Sequence, residues 1–224
     1  MFWLCTLIPV AVLCPVGVVY CIRYFRQKEE PLSKKQTVVL AAVSAVVLAA
    51  IAVFFSLTAL PHEWSVHSLL RTFGVLIFSW FAAVIDLKYK VIPNKLSLCM
   101  LILGVISIGV EIAMAPVYWK YTLMNALIGA GIAGGIFLLA NLVSKNGLGM
   151  GDVKLMALIG LYLGLEGALG AAMWAMVTAA LAGGIMMAVK KAKLKTELAL
   201  APFFFLGTLV SNAFFLISGL IPVE

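Results

Sequence analysis

The amino-acid sequence predicts an all-α fold, a polytopic membrane helix bundle of about eight transmembrane segments. Of the 224 residues, 64% are hydrophobic and only 11% are charged, and the mean hydropathy is +1.15. Apolar stretches of about 18 residues, long enough to span a bilayer, recur along the whole chain. Basic residues collect in alternate loops, as the positive-inside rule describes for proteins that cross a membrane several times. This composition excludes a soluble domain of this size.

The apolar segments are predicted at 2–22, 37–60, 69–85, 96–115, 122–143, 153–165, 168–189 and 198–221. The first has no basic region before it and no small-residue cleavage site, so we expect a retained helix rather than a cleaved signal peptide. The sixth is short, because at about 1.5 Å per residue it covers only about 20 Å of a bilayer core of about 30 Å. The glycine pairs Gly131/Gly135 and Gly160/Gly164 predict close helix packing.

Charge distribution predicts the orientation. With the N-terminus outside, the inner segments hold 14 of the 16 Lys and Arg residues, and only Arg71 and Lys120 fall on outer ends. This arrangement requires the short sixth segment to cross, so that the sixth and seventh form a hairpin. Without it, the basic run from Lys190 to Lys195 would lie outside.

Asp86 and Asp152 are the only aspartates, and both fall at the inner end of a predicted helix. A carboxylate at a helix N-terminus, as at Asp152, is a common cap, whereas one at a C-terminus, as at Asp86, is unfavourable and indicates a function. Two carboxylates that share a site can activate water as base and protonate a leaving amine as acid. The helix ends favour Asp152 as resting base and Asp86 as resting acid; site-resolved titration in which Asp86 ionised first would contradict this order.

Gly147, Gly149 and Gly151 alternate directly before Asp152, in the stretch GLGMGDVKL. Glycines permit unusual backbone dihedrals and close approach of another chain, such as an extended substrate peptide. A flexible loop at a helix start is the plain alternative. No GK[ST] follows, so the stretch is not a phosphate-binding loop. The four cysteines form no CxxC pair and the two histidines lack partners, so neither a zinc nor a redox site is predicted.

These residues resemble the type IV prepilin peptidases, which are membrane aspartic proteases. Gly149-Met150-Gly151-Asp152 followed by Val153-Lys154-Leu155 resembles their GxGD…KL motif, and Asp86 followed by Ile92-Pro93-Asn94 resembles their D…IPN element. The resemblance covers the chain from about residue 69 onward, and Ala201-Pro202-Phe203 matches a PFGP-like stretch only in part. It implies that Asp86 and Asp152 are the catalytic pair. It also implies that five neighbours support the substrate or the loops: Gly149, Gly151, Lys154, Pro93 and Asn94.

The activity implied by the resemblance is cleavage between the basic leader and the hydrophobic segment of prepilin or pseudopilin precursors. The cut would occur at the cytoplasmic face of a bacterial or archaeal membrane. Larger members carry two CxxC pairs between the first two helices and methylate the new N-terminus, whereas the loop at 23–36 has no such pair. We therefore expect a short form without zinc or another cofactor, and methyltransferase activity is without support.

Under this reading, residues 1–36 form a first helix with a short cytoplasmic loop, and 37–224 form a membrane peptidase core. The expected partners are the precursors and membrane lipid but no nucleic acid, and the oligomeric state is open. Lys88 and Lys154 either steady the aspartates or anchor the inner face.

Three other classes stay open. A presenilin-like or signal-peptide-peptidase-like intramembrane protease would carry a PAL motif, but Phe203 follows Pro202. An ion-coupled transporter would show internal repeats and polar residues near the midplane, and only scattered candidates such as Asn125, Asn141 and Ser211 are found. A non-catalytic assembly factor would not need both aspartates.

Overall fold

The structure, a computed structural model, describes residues 2–28, 33–59, 66–144, 148–189 and 198–218, and within these ranges every regular element is helical. The helices are α1 (Phe2–Gln27), α2 (Lys34–Ala59), α3 (Val66–Tyr89), α4 (Asn94–Met114), α5 (Trp119–Val143), α6 (Met150–Ala188) and α7 (Ala201–Ser218), with one turn of 3₁₀-helix at Pro116–Tyr118. In the described part of the chain, five stretches, within α2 to α6, are long and apolar enough to cross a membrane. The predicted all-α membrane fold is therefore confirmed.

Helix α6 contains both the sixth and the seventh predicted segment, divided by a break at Gly164. The backbone there has φ 71° and ψ −171°, which is not helical. We call residues 150–163 the first arm and 165–188 the second arm. Near the start of the first arm, Asp152 lies close enough to Asp86 to interact with it electrostatically. Near the end of the arm, the carbonyl of Tyr162 accepts a hydrogen bond from Arg71, which lies fifteen residues before Asp86 on α3. The first arm therefore runs antiparallel to α3.

The second arm returns toward the aspartates. Helix α7 begins where the backbone N–H of Ala201 donates to Asp86, so α7 leads away from that end. Along α7, the Ser211 hydroxyl donates to the carbonyl of Gly167, near the start of the second arm. Earlier on α7, Gly207 packs against the backbone of Ala175, farther along that arm. The two arms thus form the hairpin that the charge pattern predicted, and the described residues form eight α-helical segments when α6 is counted as two.

Polar side chains from neighbouring helices form hydrogen bonds with the backbone groups on both sides of the break at Gly164. A positive φ suits glycine, and a Cβ at Gly164 would lie 2.3 Å from Nδ2 of Asn125. Oδ1 of Asn125 accepts the N–H of Leu165 at 3.1 Å, which satisfies a donor left free at the start of the second arm. Arg71 donates to the carbonyls of Leu161 and Tyr162 at the end of the first arm. Asn125, a candidate for a transporter site in the sequence, therefore has a structural partner.

The predicted glycine contacts are half right. Gly160 lies against the backbone of Gly129, since an added Cβ would be 2.3 Å from the Gly129 carbonyl oxygen, and Gly164 also meets Gly129. The prediction for Gly131 and Gly135 is wrong, because an added Cβ at either position would find nothing within 4 Å. Small residues matter here because packing and hydrogen bonds, rather than a hydrophobic driving force, hold helices together in lipid.

Helix α3 packs against α1, α4, α7 and α6 and carries much of the interior. Its fully buried side chains include Phe73, Leu76, Phe81 and Ile85, none more than 1% exposed. Glycine again permits the closest contact, because Gly17 of α1 lies against the ring of Phe81. The inner end of α3 is therefore fixed on several sides, and that end carries Asp86.

Candidate active site

A cavity of about 720 Å³ opens at the end of the bundle where α3 ends and α6 begins. Asp86 and Asp152 both line it. Asp86 is buried, with 4% of its surface exposed, and Asp152 is half-buried. The only two aspartates of the chain, 66 positions apart in sequence, thus share one site and interact electrostatically.

Asp86 is oriented by the main chain of α7. The N–H of Ala201, at the first residue of that helix, donates to Oδ2 of Asp86 at 3.0 Å. An N–H group can bond an oxygen of either the ionised or the protonated carboxyl, so this contact fixes the side chain in both states. The charge of Lys90, one turn farther along the chain, also acts on Asp86.

Asp152 occupies the first turn of α6, three residues after the N-terminal capping residue Gly149. The N–H of Asp152 donates to the Gly149 carbonyl at 3.0 Å, and the backbone of Gly149 also interacts with the Asp152 carboxylate. A carboxylate in the first turn interacts favourably with the helix dipole, so Asp152 also suits the helix start, although the capping residue is Gly149. There is also a steric reason for a glycine at position 149, because a Cβ there would lie 3.0 Å from Oδ2 of Asp152.

The D…IPN element forms the turn between α3 and α4, and this turn contacts the GxGD motif directly. Lys90 adopts a left-handed φ of 52°, and its N–H donates to the Asp86 carbonyl at 2.8 Å, which ends α3. Pro93 is the N-terminal capping residue of α4. Between them, Ile92 lies against Gly151, whose added Cβ would be 3.1 Å from Cβ of Ile92. Gly151 therefore allows α6 to begin beside the turn that follows Asp86.

A side-chain hydrogen bond joins the same two motifs, since Nζ of Lys154 donates to Oδ1 of Asn94 at 3.0 Å. Lys88, the other lysine considered, lies 5.1 Å from the ring centroid of Phe25 and 5.3 Å from that of Tyr89. These are cation–π contacts on the side of α3 that faces α1. All the site residues predicted from the sequence line the one cavity: Asp86, Pro93, Asn94, Gly149, Gly151, Asp152 and Lys154. Gly147 lies outside the described residues.

The sequence analysis missed the wall that α1 contributes. Tyr20, Arg23, Tyr24 and Gln27 all line the cavity. Their spacing of three, four and seven residues puts them on one helix face, and such a polar stripe at the end of an apolar helix is a signal that could have found them. Nowhere in the described ranges do three or more His, Cys, Asp or Glu side chains form a group that could hold a metal ion.

Comparison with known proteins agrees with the motifs. A sequence model of the type IV leader peptidase family matches residues 73–188, just over half of the chain, and this range contains both aspartates. The prepilin leader peptidase/N-methyltransferase of Xanthomonas campestris pv. campestris is 29% identical over 135 residues, which cover 58% of this chain and 46% of that protein. The protein of the same name from Stutzerimonas stutzeri is 30% identical over 138 residues, covering 60% and 45%.

The chain spans less than half the length of these two relatives. No solved structure gives a significant match. The α1 wall and Ala201 lie outside the matched range, whereas the turn after Asp86, the GxGD motif and the first arm lie within it. On the match to residues 73–188, the chain belongs to the type IV leader peptidase family.

Proposed function

We propose that this protein is an aspartic leader peptidase that hydrolyses the peptide bond between the basic leader and the hydrophobic segment of prepilin or pseudopilin precursors. The observation that carries the proposal is the meeting of Asp86 and Asp152 in one cavity, each brought there by a different motif. Membership of the family supports the substrate class. The peptidase needs no cofactor in this scheme, because both proton transfers use carboxyl groups.

In the proposed reaction, one carboxylate takes a proton from water as the water oxygen bonds to the carbonyl carbon of the scissile peptide. The other carboxyl group gives its proton to the leaving nitrogen as the C–N bond breaks. On the helix dipoles we assign Asp152 as the base and Asp86 as the acid. The N–H of Ala201 and the charge of Lys90 act in the opposite sense, because both favour the ionised form of Asp86, and site-resolved titration of the pair decides the order. Product release and proton exchange then restore the resting state.

The cavity lies at one end of the bundle rather than in the middle of a span, which suits a cut beside the membrane surface. We place that end at the cytoplasmic face of a bacterial or archaeal membrane, with the N-terminus outside, on the charge distribution. Lys90, Lys95 and Arg23 around the cavity agree with this orientation. We keep the division of the chain into residues 1–36 and 37–224 as a proposal. Both parts contribute to the site, because α1 lines the cavity.

Substitution of each aspartate by asparagine tests the proposal, because asparagine keeps the shape and removes the acid–base function. Purified wild type is expected to cut a precursor, while Asp86→Asn and Asp152→Asn each lose about 10²- to 10⁴-fold in rate. Glu166→Gln is the matched control, since Glu166 is an exposed carboxylate on the second arm, beyond the break. Unchanged cleavage by either aspartate variant, with its thermal unfolding intact, would refute the catalytic pair.

A further inference from the structure

A second depression adjoins the cavity on the outside of the bundle, between α4 and the first arm of α6. We call it the α4–α6 groove, and its volume is about 440 Å³. Its own lining is mainly apolar: Ser97, Leu98 and Leu101 from α4, and Ala157 and Leu158 from the first arm. It shares Asn94 and Lys154 with the cavity, so the two depressions are adjacent and the Lys154–Asn94 hydrogen bond lies between them.

Both ends of the groove are defined. The Lys154–Asn94 bond bounds the end beside the cavity. At the far end, the hydroxyl of Tyr162 donates to the carbonyl of Met100 at 2.8 Å, and the Tyr162 ring lies against Gly104, so α4 and the first arm are in close contact there. The α4 residues of the groove span seven positions, which is about 10 Å of helix. The groove therefore extends from the site along the bundle, in the direction of the apolar interior of a membrane.

The groove leaves apolar side chains uncovered within the described structure. Leu98 is 55% and Leu101 42% exposed. The cavity beside it is more polar, with basic residues and both aspartates in its lining. A chain passing from the cavity over the Lys154–Asn94 bond into the groove would go from a surface that carries charged groups to an apolar one.

We propose that the α4–α6 groove binds the first apolar residues that follow the scissile bond of the substrate. The inference rests on the proposed function, which supplies a substrate with a change from polar to apolar at the cut. Because the groove adjoins the aspartate cavity, apolar residues bound in it would lie directly downstream of the reacting bond, and the length of the groove suits about two turns of helix. Leu98 and Leu101 then determine specificity by contact with substrate side chains, in the manner of a helix in an apolar groove.

A filled groove tests this inference. In Leu101→Trp the larger side chain occupies the groove, and in the matched control Leu103→Trp it projects from the other side of α4, since two positions turn a helix by about 200°. Each variant is assayed on a precursor with its whole apolar segment and on a peptide that ends a few residues after the cut. We expect the ratio of kcat/KM for the long and the short substrate to fall about tenfold in Leu101→Trp, the loss of roughly one buried apolar contact. We expect Leu103→Trp to keep the wild-type ratio, and a wild-type ratio in Leu101→Trp would overturn the inference.

A binding experiment separates failure of the inference from failure of the proposed function. A photo-crosslinking amino acid at position 101 or 103 is introduced into the Asp86→Asn protein, which is then mixed in lipid nanodiscs with the precursor. An adduct between position 101 and the apolar segment, absent at 103, supports the groove without any cleavage. Adducts with lipid alone at position 101 would show that an acyl chain occupies the groove and would overturn the inference. If the wild-type protein cleaved neither substrate, the proposed function would fail whatever the crosslinks showed.

Discussion

Gly151→Ala is the sharpest single test of how the two motifs fit together. The added methyl group would lie 3.1 Å from Cβ of Ile92, 3.4 Å from its Cγ1 and 3.5 Å from its backbone nitrogen. Carbon atoms in contact prefer separations of about 3.5–4.0 Å, so the contact with Cβ of Ile92 must open by a few tenths of an ångström. That atom cannot rotate away, because a Cβ moves only with the backbone. The start of α6 must therefore shift relative to the turn after Asp86.

That shift separates Asp152 from Asp86. Catalytic groups need to stay within about 0.5 Å of their working geometry, and a misplacement of about 1 Å can cost on the order of 10²-fold in rate. We therefore expect Gly151→Ala to cut the precursor about 10- to 100-fold more slowly than wild type. Overpacking of this kind also costs about 1–3 kcal/mol of stability, which is similar in free energy to the expected loss of rate, so both are measured.

The assay compares initial cleavage rates and thermal unfolding in the same detergent. Gly131→Ala is the matched control: it makes the same chemical change inside a helix, but its added Cβ would meet nothing within 4 Å. We expect this control to cleave at the wild-type rate and to unfold at an equal or higher temperature, since alanine favours helix over glycine. A Gly151→Ala protein that cleaved as fast as Gly131→Ala would show that the Ile92 contact does not set the aspartate geometry.

Two further predictions concern the packing that holds the first arm in place. Gly160→Ala would bring a methyl group to 2.3 Å from the Gly129 carbonyl oxygen, so we expect about 1–3 kcal/mol of destabilisation. This would be measured as a lower unfolding temperature than that of Gly131→Ala. Equal unfolding temperatures would contradict the close contact of α5 with the first arm. Arg71 and Glu111 form an ion pair whose side chains are only 13% and 18% exposed, and Arg71→Met would leave Glu111 without its cation. We expect the free energy of unfolding to fall by about 3–5 kcal/mol, and to recover in part when Glu111→Gln is added. No change in unfolding for the single variant would refute a stabilising role for the ion pair.

The sequence predicted the helical passes well because their signals are local. The lengths of the apolar stretches identified eight segments. The distribution of basic residues required the short sixth segment to form a hairpin with the seventh, although no proline or polar loop separates them. The sequence pattern put the turn between residues 165 and 168, slightly after the observed break at Gly164, and the exact position has a tertiary cause. It depends on Asn125 and Arg71 from other helices, which satisfy the backbone groups that the break sets free.

The site was predicted in part. Asp86 and Asp152 were identified by chemistry, since both are carboxylates at helix ends, and their neighbours by resemblance of the two motifs. The sequence analysis expected the glycines before Asp152 to allow the close approach of another chain. In the structure, the atoms that lie close to Gly151 and Gly149 belong to Ile92 and to Asp152 itself. The error at Gly131 and Gly135 has a related origin: spacing by four identifies a stripe of small residues but not which face of α5 meets α6. The α1 residues form a polar stripe that is visible in the sequence, but the stripe alone does not show that α1 packs beside α3 at the aspartate end.

The hydrogen bond from Ala201 to Asp86 has a consequence for how this site can vary among proteins. The donor is a main-chain N–H, and Ala201 is fully buried. Any residue small enough for that space supplies the same donor, with proline as the exception because it has no N–H. Substitutions at this position can therefore accumulate without loss of the contact, and the identity of residue 201 does not by itself reveal the donor. A part of the active site that consists of backbone can persist through divergence while remaining invisible to a motif search.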